Sequence, residues 1–155
     1  MKNMPAQQKI KQLLMENIAS LQRARRVLEK SYVKCGEITV PFPVEDDEKL
    51  ETIEALTSRF ARAADILTQR VGKSIVALVR EEAPSVIDRV YVLEKVGAIV
   101  SAETLIAIRD IRNEIAHEYT EEGIQKIFEK CMPLVPKLLA MVDSAAQYTE
   151  RVSVQ

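Results

Sequence analysis

The sequence predicts an all-α protein, an antiparallel up-and-down four-helix bundle with an additional short helix. Apolar residues recur at three- and four-residue steps along most of the 155 residues, the spacing of helices that bury one face. Glycine occurs four times and proline six times, which is too few for a β-sandwich or a loop-rich fold. Because hydrophobic residues make up 47% and charged residues 29%, we expect a single helical domain over residues 1–155.

The first predicted helix runs from about Pro5 to Lys34, and Gly36 supplies a stop signal after it. One face of this segment is apolar and the other carries lysine and arginine, as in an amphipathic helix. The apolar face consists of Ile10, Leu13, Leu14, Ile18, Leu21, Leu28 and Tyr32.

Residues 36–47 differ in character from the helices around them. Pro41 and Pro43 exclude a helix, and the β-branched residues beside them favour extended backbone. We predict a connector that crosses the surface, with Phe42 as its anchor; a short strand here would lack an evident partner. Asp46 is then suited to cap the next helix.

The second long helix is predicted from about Asp47 to Arg80, with Gly72 as a point where it bends or breaks. Its apolar stripe consists of Leu50, Ile53, Phe60, Ala64, Leu67, Val71, Ile75 and Leu78. A turn follows, and a short helix over residues 85–96 ends at Gly97.

The fourth helix is predicted from Ser101, a good N-cap, to about Tyr119. Thr120 opens the last helix, in which Pro133 and Pro136 each remove a backbone donor. We therefore expect a kink or break near the two prolines. The apolar stripe of this helix consists of Ile124, Ile127, Phe128, Cys131, Val135, Leu138, Val142 and Ala145.

The composition limits the classes of function that one chain can perform. One histidine and two cysteines, Cys35 and Cys131, fall short of a zinc site, and we expect two reduced thiols, with Cys131 in the core. We therefore expect no metal and no cofactor. A net charge of −1 means that any contact with nucleic acid is local. Apolar runs are too short for a membrane span, so we expect a cytoplasmic protein without a membrane partner.

The only histidine lies among other polar residues near the end of the fourth predicted helix. At about 100° per residue, Asn113 and His117 lie one turn apart on the same face. Arg112 lies beside that face, and Tyr119 follows Arg112 by seven residues, so those two nearly align. The four side chains can therefore line one side of the helix end.

This set of side chains suits metal-free attack of an RNA 2′-hydroxyl on its own phosphate. Imidazole can accept or donate a proton near neutral pH, and guanidinium suits charged phosphate oxygens. Asn113 can orient His117 or bind a ribose hydroxyl. A purely structural alternative is that His117 lies at a helix C-terminus favoured by the dipole, while Arg112 pairs with Glu118 or with a neighbouring helix.

The segment Arg112-Asn113-Glu114-Ile115-Ala116-His117-Glu118-Tyr119 resembles the Arg-x4-His-x-Tyr motif of the HEPN superfamily. Within it, the sequence is most similar to the HepT-like toxins that pair with minimal nucleotidyltransferase antitoxins. The preceding residues 92–99 resemble the short "leucine, Glu-Lys, Gly" helix found before the motif helix. The resemblance is strong over residues 87–119 and only architectural over the first two helices.

The resemblance implies a toxin endoribonuclease that cleaves RNA without metal and leaves a 2′,3′-cyclic phosphate and a 5′-hydroxyl. It implies an up-and-down bundle that forms a homodimer with the motif helices facing a common cleft. Arg112 and His117 match the ribonuclease residues, and Asn113 matches the polar position after the arginine. Tyr119 matches the tyrosine that the nucleotidyltransferase antitoxin modifies with AMP.

Two segments depart from the commonest HepT-like layouts, the connector at residues 36–47 and residues 59–65. These departures leave open the partner and a second function, a non-catalytic HEPN subunit that binds nucleotide beside a nucleotidyltransferase. With one histidine per chain, two copies would have to meet for an acid and a base to be histidines.

Further basic residues admit a functional and a structural interpretation. Arg59, Arg62 and Asp65 could extend a phosphate-binding surface, although an Arg62–Asp65 pair at i,i+3 is the favoured interpretation. A basic run on the first helix could contact an RNA backbone, although a solvated helix face is favoured. That run consists of Arg23, Arg25, Arg26, Lys30 and Lys34.

Overall fold

The computed structural model describes residues 4–155, and it is all-helical, with no strand among those residues. The bounds are α1 Ala6–Cys35, α2 Asp47–Asp65, a π-helical segment Ile66–Val71, α3 Gly72–Leu78, α4 Val86–Lys95, α5 Ala102–His117, α6 Glu121–Cys131, a 3₁₀ turn Met132–Leu134 and α7 Val135–Ser153. The predicted all-α fold class is confirmed, and each predicted helix is present.

The helices pack around one apolar core. α1 packs against α2, the π segment, α3 and α7, while α5 packs against α2, α4 and α6. Every helix contributes fully buried side chains to this core, among them Leu21, Phe60, Leu105 and Leu138. This packing is that of a helical bundle, and it holds the end of α5 against α2 on one side and α6 on the other.

Polar caps begin four of the helices at the residues that the sequence indicates. Asp46 accepts a hydrogen bond from the backbone of Lys49, at 3.1 Å. Ser85 forms a reciprocal capping box with Asp88. The Ser101 and Thr120 hydroxyls cap α5 and α6, each by accepting one hydrogen bond from a backbone N–H of the first turn. Each cap satisfies a backbone donor that the first turn of a helix leaves free, which is why a sequence can reveal these boundaries.

The predicted second helix is continuous, but its hydrogen-bonding pattern changes from α to π just before Gly72. We call α2, the π segment and α3 together the rod. The π segment makes hydrogen bonds one residue longer than an α-helix does, which widens the turn. Arg89 of α4 packs onto this wide turn, and a Cβ on Gly72 would lie 2.8 Å from the Arg89 Cδ. The rod ends at Leu78, two residues before the predicted end, because the chain turns and Arg80 adopts a φ of 58°.

The connector crosses the surface as predicted, and Phe42 anchors it in the core. The Phe42 N–H donates to the Gln125 Oε1 at 2.9 Å, and the Gln125 Nε2 donates to the Phe42 carbonyl at 3.1 Å. One buried amide side chain of α6 thus replaces the hydrogen bonds that a strand partner would have made.

The break expected near the prolines of the last helix is also present. Pro133 lies in the 3₁₀ turn between α6 and α7. Pro136 lies in the first turn of α7, where a missing backbone N–H costs nothing. Among the described residues, no helix combines the length and the apolar character needed to cross a membrane.

Candidate functional site

The residues singled out by the sequence lie at and just beyond the C-terminal end of α5. The N-terminal half of α5 is held in the core by Leu105 and Ile108, which are fully buried. The C-terminal end leaves the core, so that His117 is exposed and Asn113 is half-buried. α5 therefore carries its polar end to the surface of the bundle.

Arg112 points across to α2 and forms a bidentate ion pair with Asp65. Its Nε donates to the Asp65 Oδ1 at 2.7 Å, and its Nη2 donates to Oδ2 at 3.0 Å. The hydrogen bond with Asp65 raises the pKa of Arg112 above its ordinary value, so the guanidinium stays charged. Both side chains remain partly exposed. The paired planes are the geometry in which arginine binds a carboxylate or a phosphate.

This pair corrects the favoured interpretation of the second helix. Asp65 does not pair with Arg62 one turn away, because Arg112 occupies both of its carboxylate oxygens. Arg59 is bound to α1 instead, where it donates to the Val27 carbonyl at 3.2 Å and to the Ser31 hydroxyl at 2.8 Å. Of the two structural alternatives for Arg112, the pair with a neighbouring helix is the one that forms.

His117 is the last residue of α5 and lines a shallow groove between α5 and α6 of about 300 Å³. Lys126 and Lys130 of α6 line the same groove. Lys130 donates to the Glu114 carboxylate at 2.9 Å, whereas Lys126 forms no ion pair within residues 4–155. The imidazole is thus exposed to solvent beside an unpaired cation.

Arg112 and His117 do not converge within one chain. Five residues of α-helix separate them by about 140° around the axis. Arg112 accordingly faces α2, and His117 faces the groove beside α6. Asn113 lies between them, and in the described part of the chain its side chain makes no hydrogen bond with His117 or with any other residue. Within one chain, the structure therefore shows no hydrogen bond by which Asn113 could orient His117.

Tyr119 lies outside α5, because the helix ends at His117 and not at the predicted Tyr119. It is 89% exposed, the most exposed of the large apolar or aromatic side chains in the described residues. The alignment with Arg112 on one helix face therefore does not apply. Tyr119 instead projects from the α5–α6 turn, where another macromolecule could reach its hydroxyl.

Glu118 fixes that turn. Its Oε1 accepts hydrogen bonds from the Tyr119 backbone at 3.1 Å, the Thr120 backbone at 3.0 Å and the Thr120 hydroxyl at 2.8 Å. The hydrogen bonds from Thr120 lower the pKa of Glu118 below its ordinary value. The carboxylate lies against Gly123, where any Cβ would collide with it. Glu118 thus acts as a clamp on the turn that presents Tyr119.

Arg89 is the charged residue that the sequence analysis missed. It is 9% exposed and lies on the buried face of α4. Its Nη1 donates to the Thr68 carbonyl at 3.0 Å and to the Gln69 Oε1 at 3.3 Å, and no carboxylate pairs with it among the residues described. Burial, together with the nearby charge of Arg109, lowers its pKa. The sequence feature that could have revealed it is its position between Val86 and Val90 in the apolar stripe of α4.

Other chemically capable residues serve the fold. Cys131 is completely buried, and burial raises its pKa to about 12, so the thiol stays protonated. Arg25 of the basic run on α1 binds Asp143 of α7 at 2.8 Å. Within the described chain, no group of three or more histidine, cysteine, aspartate or glutamate side chains is arranged to hold a metal ion.

Comparison with models of protein families, with curated proteins and with solved structures finds no match to this chain.

Proposed function

We propose that the protein is a HEPN-type toxin endoribonuclease that cleaves RNA without a metal ion. The observation that carries the proposal is the Arg112-x4-His117-x-Tyr119 pattern at the exposed end of a helix in an all-helical chain. The exposure of His117 and Tyr119 supports it, since a substrate and a modifying enzyme both need access. The finer fold that belongs to this proposal is the antiparallel up-and-down four-helix bundle with one additional short helix.

In this mechanism the RNA 2′-oxygen attacks the adjacent phosphorus and the 5′-oxygen of the next nucleotide leaves. A base removes the 2′-hydroxyl proton, and an acid supplies a proton to the departing oxygen. The products are a 2′,3′-cyclic phosphate and a 5′-hydroxyl. His117 exchanges the protons, Arg112 stabilises the charge that accumulates on the phosphate oxygens, and Asn113 positions the ribose or the imidazole.

The active unit in this proposal is a homodimer with the two α5 helices facing one cleft. Arg112 and His117 face different neighbours within one chain. A second copy related by a two-fold axis would bring another His117 and another Arg112 to the same cleft. The dimer thus supplies the acid and the base that a chain with one histidine lacks.

The proposed regulator is a minimal nucleotidyltransferase antitoxin acting in the cytoplasm. It would transfer AMP from ATP to the Tyr119 hydroxyl, with pyrophosphate as the leaving group and the phenolic proton released. The added phosphate and base would project from the α5–α6 turn, beside Glu118 of the groove, and would repel an RNA phosphate. The exposure of Tyr119 and the clamp formed by Glu118 support this role.

The test is RNA cleavage by purified protein in excess EDTA. Wild-type protein should cleave, and His117→Ala should reduce the rate by about 10²–10⁴-fold, the usual effect of losing general acid–base catalysis. Lys137→Ala, which removes an exposed cation from α7, is the control and should retain the wild-type rate. A requirement for Mg²⁺, or full activity of His117→Ala, would refute the proposal.

A second candidate is a non-catalytic HEPN subunit that binds nucleotide beside a nucleotidyltransferase. The observation that favours it is the separation of Arg112, which faces α2, from His117, which lines the groove beside α6, because a phosphate bound at Arg112 would then lie away from the imidazole of the same chain. Expression in cells separates the two candidates. Growth arrest that His117→Ala relieves supports the toxin, whereas harmless expression together with AMP binding that Arg112→Ala abolishes supports the binding subunit.

A further inference from the structure

A basic groove runs along the seam between α1 and the rod formed by α2, the π segment and α3. One cavity of about 590 Å³ is lined on the rod by Arg62, Asp65, Gln69 and Arg70, and on α1 by Ser20. A second cavity of about 470 Å³ continues toward Lys73 and shares Gln69 and Arg70 with the first. The two cavities therefore form one elongated groove.

Three cations line the groove without a partner. Arg62, Arg70 and Lys73 are exposed, and none of them forms an ion pair within the described residues. The one carboxylate in the wall is Asp65, and Arg112 already binds both of its oxygens. The groove consequently carries an excess of positive charge in a chain whose net charge is −1.

A buried cation reinforces this charge from behind the wall. Gln69, which lines both cavities, accepts a hydrogen bond from Arg89, and no acidic side chain of residues 4–155 pairs with Arg89. Arg109 of α5 adds a second positive charge close to Arg89. A buried charge is screened little by solvent, so its field reaches the groove.

The π segment sets the angular spacing of Arg62 and Arg70. In a regular α-helix, Arg62 and Arg70 would be separated by about 80° around the axis. The wider π turn rotates each residue through a smaller angle and brings the two arginines toward one face. From Arg62 to Lys73 the rod rises roughly 15 Å, which exceeds the reach of a single phosphate group.

The opposite wall of the groove is neutral. α1 supplies Ser20, Asn17 and the apolar side chains of Ile10 and Leu13. Leu13 is 47% exposed, so this wall offers apolar surface to a ligand. Cations on one wall and neutral, partly apolar side chains on the other match a ligand with a charged edge and an uncharged edge.

We propose that this groove binds a single-stranded polynucleotide, with successive phosphates along Arg62, Arg70 and Lys73 and with sugars and bases against α1. The identification of the polymer as RNA rests on the proposed function, whereas the preference for a chain of phosphates does not. Asp65 joins the groove to the motif helix, since it lines the groove and holds Arg112. The groove is thus a path for the strand outside the proposed cleavage site.

The test measures binding of a 2′-O-methyl oligoribonucleotide, which lacks the attacking hydroxyl, to wild-type protein and to the double variant Arg62→Ala/Lys73→Ala over a range of salt concentrations. Each phosphate contact with a single strand contributes about 0.7 to the slope of log K against log salt. The double variant should therefore bind more weakly, with a slope smaller by about 1.4. The control Lys137→Ala/Arg151→Ala removes the same charges from α7 and should keep the wild-type slope.

An unchanged slope of log K against log salt in Arg62→Ala/Lys73→Ala, or no binding by the wild type, would overturn the proposal that the groove binds a polynucleotide. Displacement of the oligonucleotide by AMP alone would show a single-phosphate site, and displacement by polyglutamate of equal charge would show a site for acidic proteins. Either result would also overturn the proposal. Because the probe is not cleaved, the result is independent of cleavage in EDTA, and the failure of one proposal is distinguishable from the failure of the other.

Discussion

Arg112 has its counter-ion within the chain, and this decides what the residue can do. The Asp65 carboxylate occupies the Nε and Nη2 edge of the guanidinium, which is one of the edges that can bind a phosphate. Because the pair is partly exposed, it stabilises the fold only slightly and can open at little cost. Asp65 therefore orients Arg112, and in the proposed function a phosphate would compete with this carboxylate for the guanidinium.

Replacement of Asp65 by asparagine should strengthen RNA binding. The variant removes one negative charge from the groove and frees Arg112 for a phosphate, so the salt slope for the 2′-O-methyl probe should rise by about 0.7. Asp143→Asn is the charge-matched control, since it removes one negative charge beside Arg25, which keeps its ion pair with Glu29. Equal increases in RNA affinity and in salt slope for the two variants would show that Asp65 has no specific role in RNA binding.

Glu118 links the stability of the α5–α6 turn to pH. Its folded-state pKa lies below the ordinary value of 4.5, so its stabilising effect is complete above that value and is lost as pH falls through the lowered pKa. Glu118→Gln should lower the free energy of unfolding at neutral pH and flatten its decline below about pH 4.5. Urea unfolding at several pH values measures this.

Glu37→Gln provides the comparison for the turn, because Glu37 is an exposed carboxylate that makes no hydrogen bond among the described residues. It should retain the wild-type dependence on pH. If the free energies of unfolding of the wild type and of Glu118→Gln decline in the same way at acid pH, the hydrogen bonds of Glu118 make no contribution to stability.

At the level of elements, local chemistry explains which boundaries the sequence could predict. Caps such as Ser101 and Thr120 lie within three residues of the donors that they satisfy, so their signal is local. The sequence predicts the end of α5 two residues too late, because the turn depends on Glu118 folding back over Gly123. That contact does not follow from helical periodicity.

The π segment could not be predicted in the same way. Its apolar stripe is consistent with a regular α-helix, and Gly72 indicated only that the rod weakens there. What favours the wide turn is a contact between elements, the bond from Arg89 of α4 to the Thr68 carbonyl. Sequence spacing alone does not show which side chain of α4 meets which carbonyl of the rod.

Gly72→Ala should destabilise the protein by about 1–3 kcal/mol, because the new methyl group collides with the stem of Arg89. In an Arg89→Ala background the same change should cost much less, since the colliding atoms are absent. Urea unfolding of the wild type, the two single variants and the double variant measures this coupling. Strictly additive effects would contradict the packing of Arg89 onto Gly72.

At the scale of the whole molecule, the pattern of apolar residues was sufficient to predict an all-helical bundle. It was not sufficient to assemble a site. The four candidate residues lie close together in sequence, over residues 112–119. In the structure, however, Arg112 faces α2, His117 faces α6 and Tyr119 lies in the following turn. Helical spacing describes one element, whereas the direction of each side chain depends on its neighbours.

The separation of Arg112 from His117 within one chain makes the second copy the central element of the account. The most direct test measures the cleavage rate per chain in excess EDTA over a range of protein concentrations, with the dimer fraction measured in parallel by sedimentation. If the homodimer is the active unit, the rate per chain falls in proportion to the dimer fraction as the protein is diluted. Cleavage by monomers at the full rate, or no cleavage at any concentration, would contradict it.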